Sequence, residues 1–440
     1  MDSSAPQMQE AEGCPVAHGN EKDILAESSL TDARILAHPN AYYTAMRHED
    51  PVHFDEKLGM WLVSRYEDIA AVSRSPNIFS MEKGYQGIYA GGFADEFKAI
   101  LERDGQGFFP DAIMSDPPYH TRVRRLMDHA FTAHRVKELE PRIAQVVGDL
   151  IDKMADKGEA DAVNEFAVPM TIAIICEQLG FDHFDGHKIQ EWSHAVTAQI
   201  SALQSREDMR KHAAQICDLQ NFLIGHIRDR EQNPKEDMIS DLVHAHAEGD
   251  PDPALNFKEV VSLVRALLIA GNETTATGLG NLFFILATQP DVAKLLYDAV
   301  DNDDDRLVTR FVEELLRIEP PVRGLSRMTT EEVELGGTLL PANAPMLLLF
   351  ASGNDDETVF ECPRKFDMER GNLGKQIAFG TGTHRCIGIA LARMEIKVAA
   401  REVAKRLKDI KLAIPLEDIR YLPTVATRSL ERLPITFSRR

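Results

Sequence analysis

Residues 379–388 read FGTGTHRCIG, three glycines set around one cysteine, Cys386. A thiol acts as nucleophile or metal ligand only as thiolate, a form favoured by nearby backbone N–H groups and by helix N-termini. In the stretch that follows, IGIALARMEIKVAAREVAKRL, Ile387, Leu391, Met394 and Val398 recur at three- and four-residue spacing. That spacing predicts an amphipathic helix with Cys386 at its start. Gly380, Gly382 and Gly388 remove side chains where the backbone must come close to something flat or bulky. A cysteine held against a planar cofactor has this pattern. A buried thiol in a glycine-rich turn and a Cys–His pair with His384 are the plainer alternatives.

The rest of the chain bounds these choices. At 440 residues with 44% hydrophobic and 27% charged content, it can bury a large core and is not disordered over most of its length. No stretch has linker composition, so one domain over 26–440 is expected behind a flexible leader, 1–25. The net charge of −21 disfavours nucleic acid and anionic membranes, since phosphate binding needs clustered Lys and Arg. The leader has no apolar core, and the most hydrophobic later stretch is cut by Arg265, Asn272 and Glu273. Neither signal peptide nor membrane span is therefore expected, and the protein reads as cytoplasmic. The five cysteines are scattered and odd in number, which suits neither a disulfide framework nor a structural zinc site.

Periodicity predicts a mainly α chain. Helices are expected at about 121–155, 165–179, 187–231, 257–288, 291–300 and 305–318. Strands are expected at Trp61–Val63, around a Gly336-Gly337 hairpin turn, and at 409–414 and 434–437. The Gly- and aromatic-rich segment 83–110 reads as a long loop with one short helix at most, of the kind that serves a binding site.

Three further stretches carry chemistry. FVEELLR sets Glu314 and Arg317 three apart on a helix, ahead of a Pro320-Pro321 break; such pairs are most often solvated surface contacts. LLIAGNETTATG places Gly271 and the charge of Glu273 inside an apolar helix, a local rule broken as functional sites break it. In SDPPYHTRVRRLM, Asp116 or Ser115 can cap a helix on which His120 and Arg124 share a face; read plainly, this is a basic solvated helix.

The pattern Phe-Gly-x-Gly-x-His-x-Cys-x-Gly followed by ALAR resembles the haem-binding loop of the cytochrome P450 superfamily, and the other three stretches follow the same family's motifs in order from about residue 35 onward. The resemblance implies the family's triangular helical prism with a small β region, built around haem b (iron protoporphyrin IX). It implies Cys386 as the metal ligand, with Phe379 and Gly380 in the haem loop. His120, Arg124, Arg327 and His384 would bind the haem propionates. Glu314 and Arg317 would be a buried structural pair. The family's third partner, an Arg, is replaced by Lys365, leaving Arg364 or Arg370 as substitutes. Thr274 would hydrogen-bond the oxygen being activated on a locally opened helix, and Glu273 would relay protons to it. Thr275 would support the helix.

The implied activity is monooxygenation: one atom of O2 enters a C–H bond of a small hydrophobic substrate, a terpenoid, steroid, fatty acid or aromatic, with electrons from NAD(P)H through ferredoxin reductase and ferredoxin. Substrate contacts carried over by position are Tyr85, Ile88, Tyr89, Phe93, Phe108 and Phe109 in the long loop and Ala266, Ile269 and Ala270 on the central helix. Val322, Arg323, Gly324 and Leu325 follow the Glu-Arg helix, and Ala426 and Thr427 come last. Arg323, pointing inward, would hold a substrate carboxylate. Arg122, Arg125, Lys375 and Arg385 are candidates for a basic patch facing the ferredoxin. A bacterial monomer is expected. A peroxide-driven enzyme of the same fold and a non-catalytic haem sensor are the rival functions, and Glu273-Thr274 argues against both.

Overall fold

The computed structural model describes residues 21–128, 133–199, 204–247 and 251–440. Its longest element is the helix Phe257–Thr288, 32 residues. Asn256 starts it with a capping box: its side chain accepts from the Glu259 N–H, and the Glu259 carboxylate accepts from the Asn256 N–H. The helix is apolar on nearly every side and packs against the helices Val168–Leu179, Arg206–Gln232 and Ile389–Arg406, as a core helix must. Two hydrophobic clusters divide it. Val260 to Ile269 belong to one, shared with Trp192, Leu223 and Ile227. Ala276 to Leu286 belong to the other, shared with Phe166, Phe311 and Val398. Residues 270–275, the AGNETT stretch, fall in neither.

The strands are β1 (Val52–Asp55), β2 (Met60–Val63), β3 (Phe79–Ser80), β4 (Glu159–Asp161), β5 (Leu325–Thr329), β6 (Val333–Leu335), β7 (Thr338–Leu340), β8 (Pro345–Leu348), β9 (Leu407–Leu412) and β10 (Pro434–Arg439). The main sheet runs β1-β2-β8-β5-β3, with β2 and β8 parallel and in register at Trp61 and Met346. A second sheet runs β4-β10-β9, and β6-β7 is the expected hairpin, turned by Gly336 and Gly337 at φ +56° and +84°.

Helices 257–288 and 305–318 have the expected bounds. Elsewhere the chain is more broken than periodicity predicts. The 121–155 segment holds three helices, Tyr119–Met127, Ala133–Glu138 and Glu140–Ala155. The 187–231 segment holds two, Gly186–Ala198 and Arg206–Gln232. The presumed loop 83–110 is a correction: it is largely helical, Met81–Ile88 and Ala94–Asp104. Gly84 there serves packing, because a Cβ on it would stand 2.6 Å from the backbone of Arg327. The end of the expected leader is also ordered, since Leu25 in the helix Glu21–Glu27 is buried; residues 1–20 lie outside the described part. Among the described residues one stretch, Ala162–Leu179, is long and apolar enough to cross a membrane, but 61% of it is buried inside the protein.

Candidate haem-binding and oxygen-activation site

The cysteine loop is closed on itself. The Cys386 N–H donates to the Phe379 carbonyl at 3.0 Å and the Gly380 N–H to the Ile377 carbonyl at 2.9 Å. Gly382 explains one of the glycines: its φ is +69°, and a Cβ there would lie 2.1 Å from the carbonyl oxygen of Ser73, in the last turn of the helix Tyr66–Arg74. The close neighbour is thus protein backbone. Gly388 caps the helix Ile389–Arg406, and a Cβ on it would meet the Cys386 sulfur only at an ordinary contact distance of 3.9 Å. Cys386 retains accessible surface although protein crowds it. Burial pushes the thiol pKa up, while the Gly388 N–H and the guanidinium groups of Arg124, Arg385 and Arg393 pull it down. The Phe379 ring lies under the Arg393 guanidinium, 5.1 Å from its centroid, and Arg393 is held by Glu313 at 2.6 Å.

A basic cluster surrounds the loop. His120 on the helix Tyr119–Met127 and His384 in the loop lie against each other, centroids 4.1 Å apart and ring planes tilted by 46°. All four ring nitrogens are buried and none makes a hydrogen bond of regular geometry, although the Ile113 backbone stands near His384. Burial, then the charges of Arg124 and Arg327, push His120 down to about 4. Burial, Arg327, His120 and Arg124 push His384 down to about 3. Arg327, 3% exposed, is itself pushed down to about 10, chiefly by burial. Four basic groups facing one another over orphaned nitrogens call for an anion with several acceptor oxygens. The two propionates of haem b meet that demand, so the residues fit the group. Asp116 does not cap the helix of His120 as expected. It reaches back to the Met81 N–H at 2.9 Å and to the Ser80 hydroxyl, capping the helix Met81–Ile88 and tying it to the cluster.

On the central helix, Ala266, Ala270 and Thr274 keep accessible surface, one turn apart, with Gly271 and Glu273 beside them half-buried. Thr274 donates its hydroxyl hydrogen to the Ala270 carbonyl at 2.8 Å. The helix runs through this stretch unbroken, contrary to the expected opening. Gly271 has a packing reason, since a Cβ there would lie 2.9 Å from the Ile175 side chain. The Glu273 carboxylate lies 3.6 Å from His194 Nε2; burial raises its pKa and His194 lowers it. Beside it, Asn272 donates to Ser193 at 3.1 Å and accepts from Thr171 at 2.7 Å. Adjacent residues of the two helices therefore pair twice, a link that no sequence signal marked in His194. Thr275 is buried and hydrogen-bonds Glu395 of the helix Ile389–Arg406.

Tyr85, Gly324, Leu325 and Ala426 are brought together, with Met60, Met81 and Met114, around one small apolar cavity. Sequence reasoning missed the methionines, which carry no motif. Ala266, Ile269, Ala270, Phe93, Val322 and Thr427 do not line that cavity, and Phe109 is core, edge-on to Phe257. The side chains of Ile88 and Tyr89 lie outside the described residues. Arg323 is a correction: its side chain turns away from this cavity, 1% exposed, and donates to the Leu36 carbonyl at 2.9 Å. The reason is a backbone clamp, with both Arg323 and Gly324 N–H groups on the Ala426 carbonyl. Arg122 is likewise no free cation, being paired to Glu259 and Asp252 at 2.8 Å each. Beneath the loop, Arg317 grips Glu314 with two bonds of 2.8 Å, both residues fully buried. The third partner is Arg370, 3.2 Å from Glu314, while Arg364 serves Glu319 and Asp355.

The sequence model of the family described as Cytochrome P450 matches residues 95–408. The chain is a cytochrome P450. Among curated relatives of this cytochrome P450, Cytochrome P450 107B1 of Saccharopolyspora erythraea is 33% identical over 95% of this chain and 98% of its own. Steroid C26-monooxygenase of Mycobacterium tuberculosis is 32% identical over 90% and 93%. The solved structure of cytochrome P450 CYP109Q5 from Chondromyces apiculatus superposes with a TM-score of 0.80 at 31% identity, covering 94% of this chain and 99% of that one. This cytochrome P450 is accordingly a monooxygenase of the bacterial type that takes haem b.

Proposed function

We propose that this P450 hydroxylates a small apolar molecule, a terpenoid, steroid, fatty acid or aromatic, with electrons from NAD(P)H delivered by a ferredoxin reductase and a ferredoxin in the bacterial cytoplasm. It would act as a monomer, with residues 26–440 one domain; the pairing of Trp61 with Met346 supports the latter, joining distant parts of the chain. The observation that carries the reading is the buried His120–His384 contact near Cys386, whose ring nitrogens make no hydrogen bond of regular geometry. Together with Arg124 and Arg327 it would seat the propionates, and Cys386 would hold the metal. Bound haem supplies the reductive activation of O2.

The chain's own part is placement and proton handling. Thr274 holds its hydroxyl on the open strip of the central helix. Its hydrogen bond to Ala270 leaves the oxygen a lone pair to accept and, on rotation, a hydrogen to donate. Glu273, with a raised pKa and a half-exposed histidine beside it, would pass protons from His194's side toward Thr274. The methionines and Leu325 line an apolar wall with few polar partners, which favours hydrophobic substrates.

The test is a screen of terpenoids, steroids, fatty acids and aromatics for the spin-state change of the ferric protein, followed by turnover of each hit. Product with NAD(P)H, reductase and ferredoxin, and none with hydrogen peroxide, is expected. Turnover with peroxide alone would favour the peroxygenase reading, and hits without turnover would favour the sensor.

A further inference from the structure

A second cavity, about 210 Å³, opens on the side of Arg323 turned away from the methionine-lined cavity. His38, Asn40 and Ala41 form its exposed rim, and Tyr43 and Arg323, each 1% exposed, are buried in its wall. Three guanidinium groups and two carboxylates line it. The carboxylates are spoken for. Glu319 takes Arg364 at 2.9 Å and Arg428 at 2.6 Å, and Asp355 takes Arg364 at 3.3 Å. Arg323 receives neither: its Nη2 donates to the Leu36 carbonyl, and Nε and Nη1 make no hydrogen bond of regular geometry. The Tyr43 hydroxyl stands beside the guanidinium and makes no hydrogen bond of regular geometry. His38 does not add an anion, being a base held below its usual pKa by burial and Arg428.

One positive charge is thus left over, buried at an open cavity, with two N–H directions that reach no acceptor in regular geometry and, beside them, a Tyr43 hydroxyl whose hydrogen is free to donate. A guanidinium so placed is matched by an oxyanion, which accepts from two nitrogens at once. We propose that this cavity is a second ligand site, taking a small oxyanion such as a carboxylate or phosphate group on Arg323 and Tyr43. The site would buttress the substrate side, because the Arg323 and Gly324 N–H groups hold Ala426, and Gly324 and Ala426 line the other cavity.

The experiment is thermal unfolding of the holoprotein with sodium chloride replaced stepwise by acetate or inorganic phosphate at constant ionic strength, which removes general screening. Wild type should gain Tm saturably with one or both anions. Tyr43→Phe, which keeps the ring, should raise the half-saturating concentration roughly tenfold, as for one lost hydrogen bond to a charged group. Arg323→Met should lose the response; should it fail to fold, the Tyr43→Phe comparison decides alone. A wild-type Tm indifferent to both anions, or a Tyr43→Phe protein that responds as wild type does, overturns the site and leaves the cavity to water.

Discussion

At Gly382 a single hydrogen decides whether the cysteine loop can form. With φ at +69° and the Ser73 oxygen where a Cβ would stand, Gly382→Ala should express with much less haem per protein, read as the ratio of haem to protein absorbance. Equal ratios would mean that the loop has slack. Thr274→Ala removes the hydroxyl but not the Cys386 environment. Product formation should fall by ~100-fold, the lower end for a lost positioned proton-transfer group, while NAD(P)H consumption continues. Glu395 gives a pH prediction. Burial raises its carboxyl from the ordinary 4.5 to about 8, with the Thr275 hydroxyl opposing. The folded protein holds that proton more tightly than the unfolded chain, so this group's support is complete below its ordinary value and is lost as pH rises toward about 8. Glu395→Gln should therefore lose less Tm than wild type between about pH 5 and about pH 8, and parallel slopes would exclude a buried, protonated Glu395.

Among the elements, the Asp305–Ile318 helix shows how a surface-looking pair becomes a core one. Arg317→Ala would leave Glu314 charged and buried with Arg370 alone, at a cost of about 3–5 kcal/mol. Arg370→Ala removes the longer contact to Glu314 together with bonds to the Glu361, Cys362 and Lys365 carbonyls, but leaves the two-bond Arg317–Glu314 pair intact, and should cost less than Arg317→Ala in urea unfolding of the holoprotein. The reverse order would reassign the network. The helix itself was legible, since its capping Asp304 and its periodicity lie close together in sequence. Arg370 was legible only as one of two substitutes, because its route to Glu314 depends on the irregular path of residues 361–370. The same contrast holds at the site. Cys386, His384 and Thr274 lie in motifs with fixed spacing, whereas Asp116 caps a helix before it and His194 meets Glu273 only through packing. Segment 83–110 misled because glycine reads as a turn signal, while Gly84 is there for close approach.

For the molecule as a whole, charge sets a conflict. A chain of net −21 should repel an acidic ferredoxin unless a local basic patch prevails. Arg385 and Lys375 are exposed near the cysteine loop, so turnover with ferredoxin should fall steeply with added salt, and Arg385→Glu should weaken it further at low salt. A flat salt profile would place the docking surface elsewhere. The placement of β2 carries a different consequence. It lies between β1, its hairpin neighbour, and β8, which follows only after most of the helices have been made. During synthesis on the ribosome, the early hairpin must wait, one edge unsatisfied, for a strand that emerges far later. Chaperone demand and yield in a heterologous host should accordingly be governed by that delay, and slower translation of the first hundred codons would not relieve it.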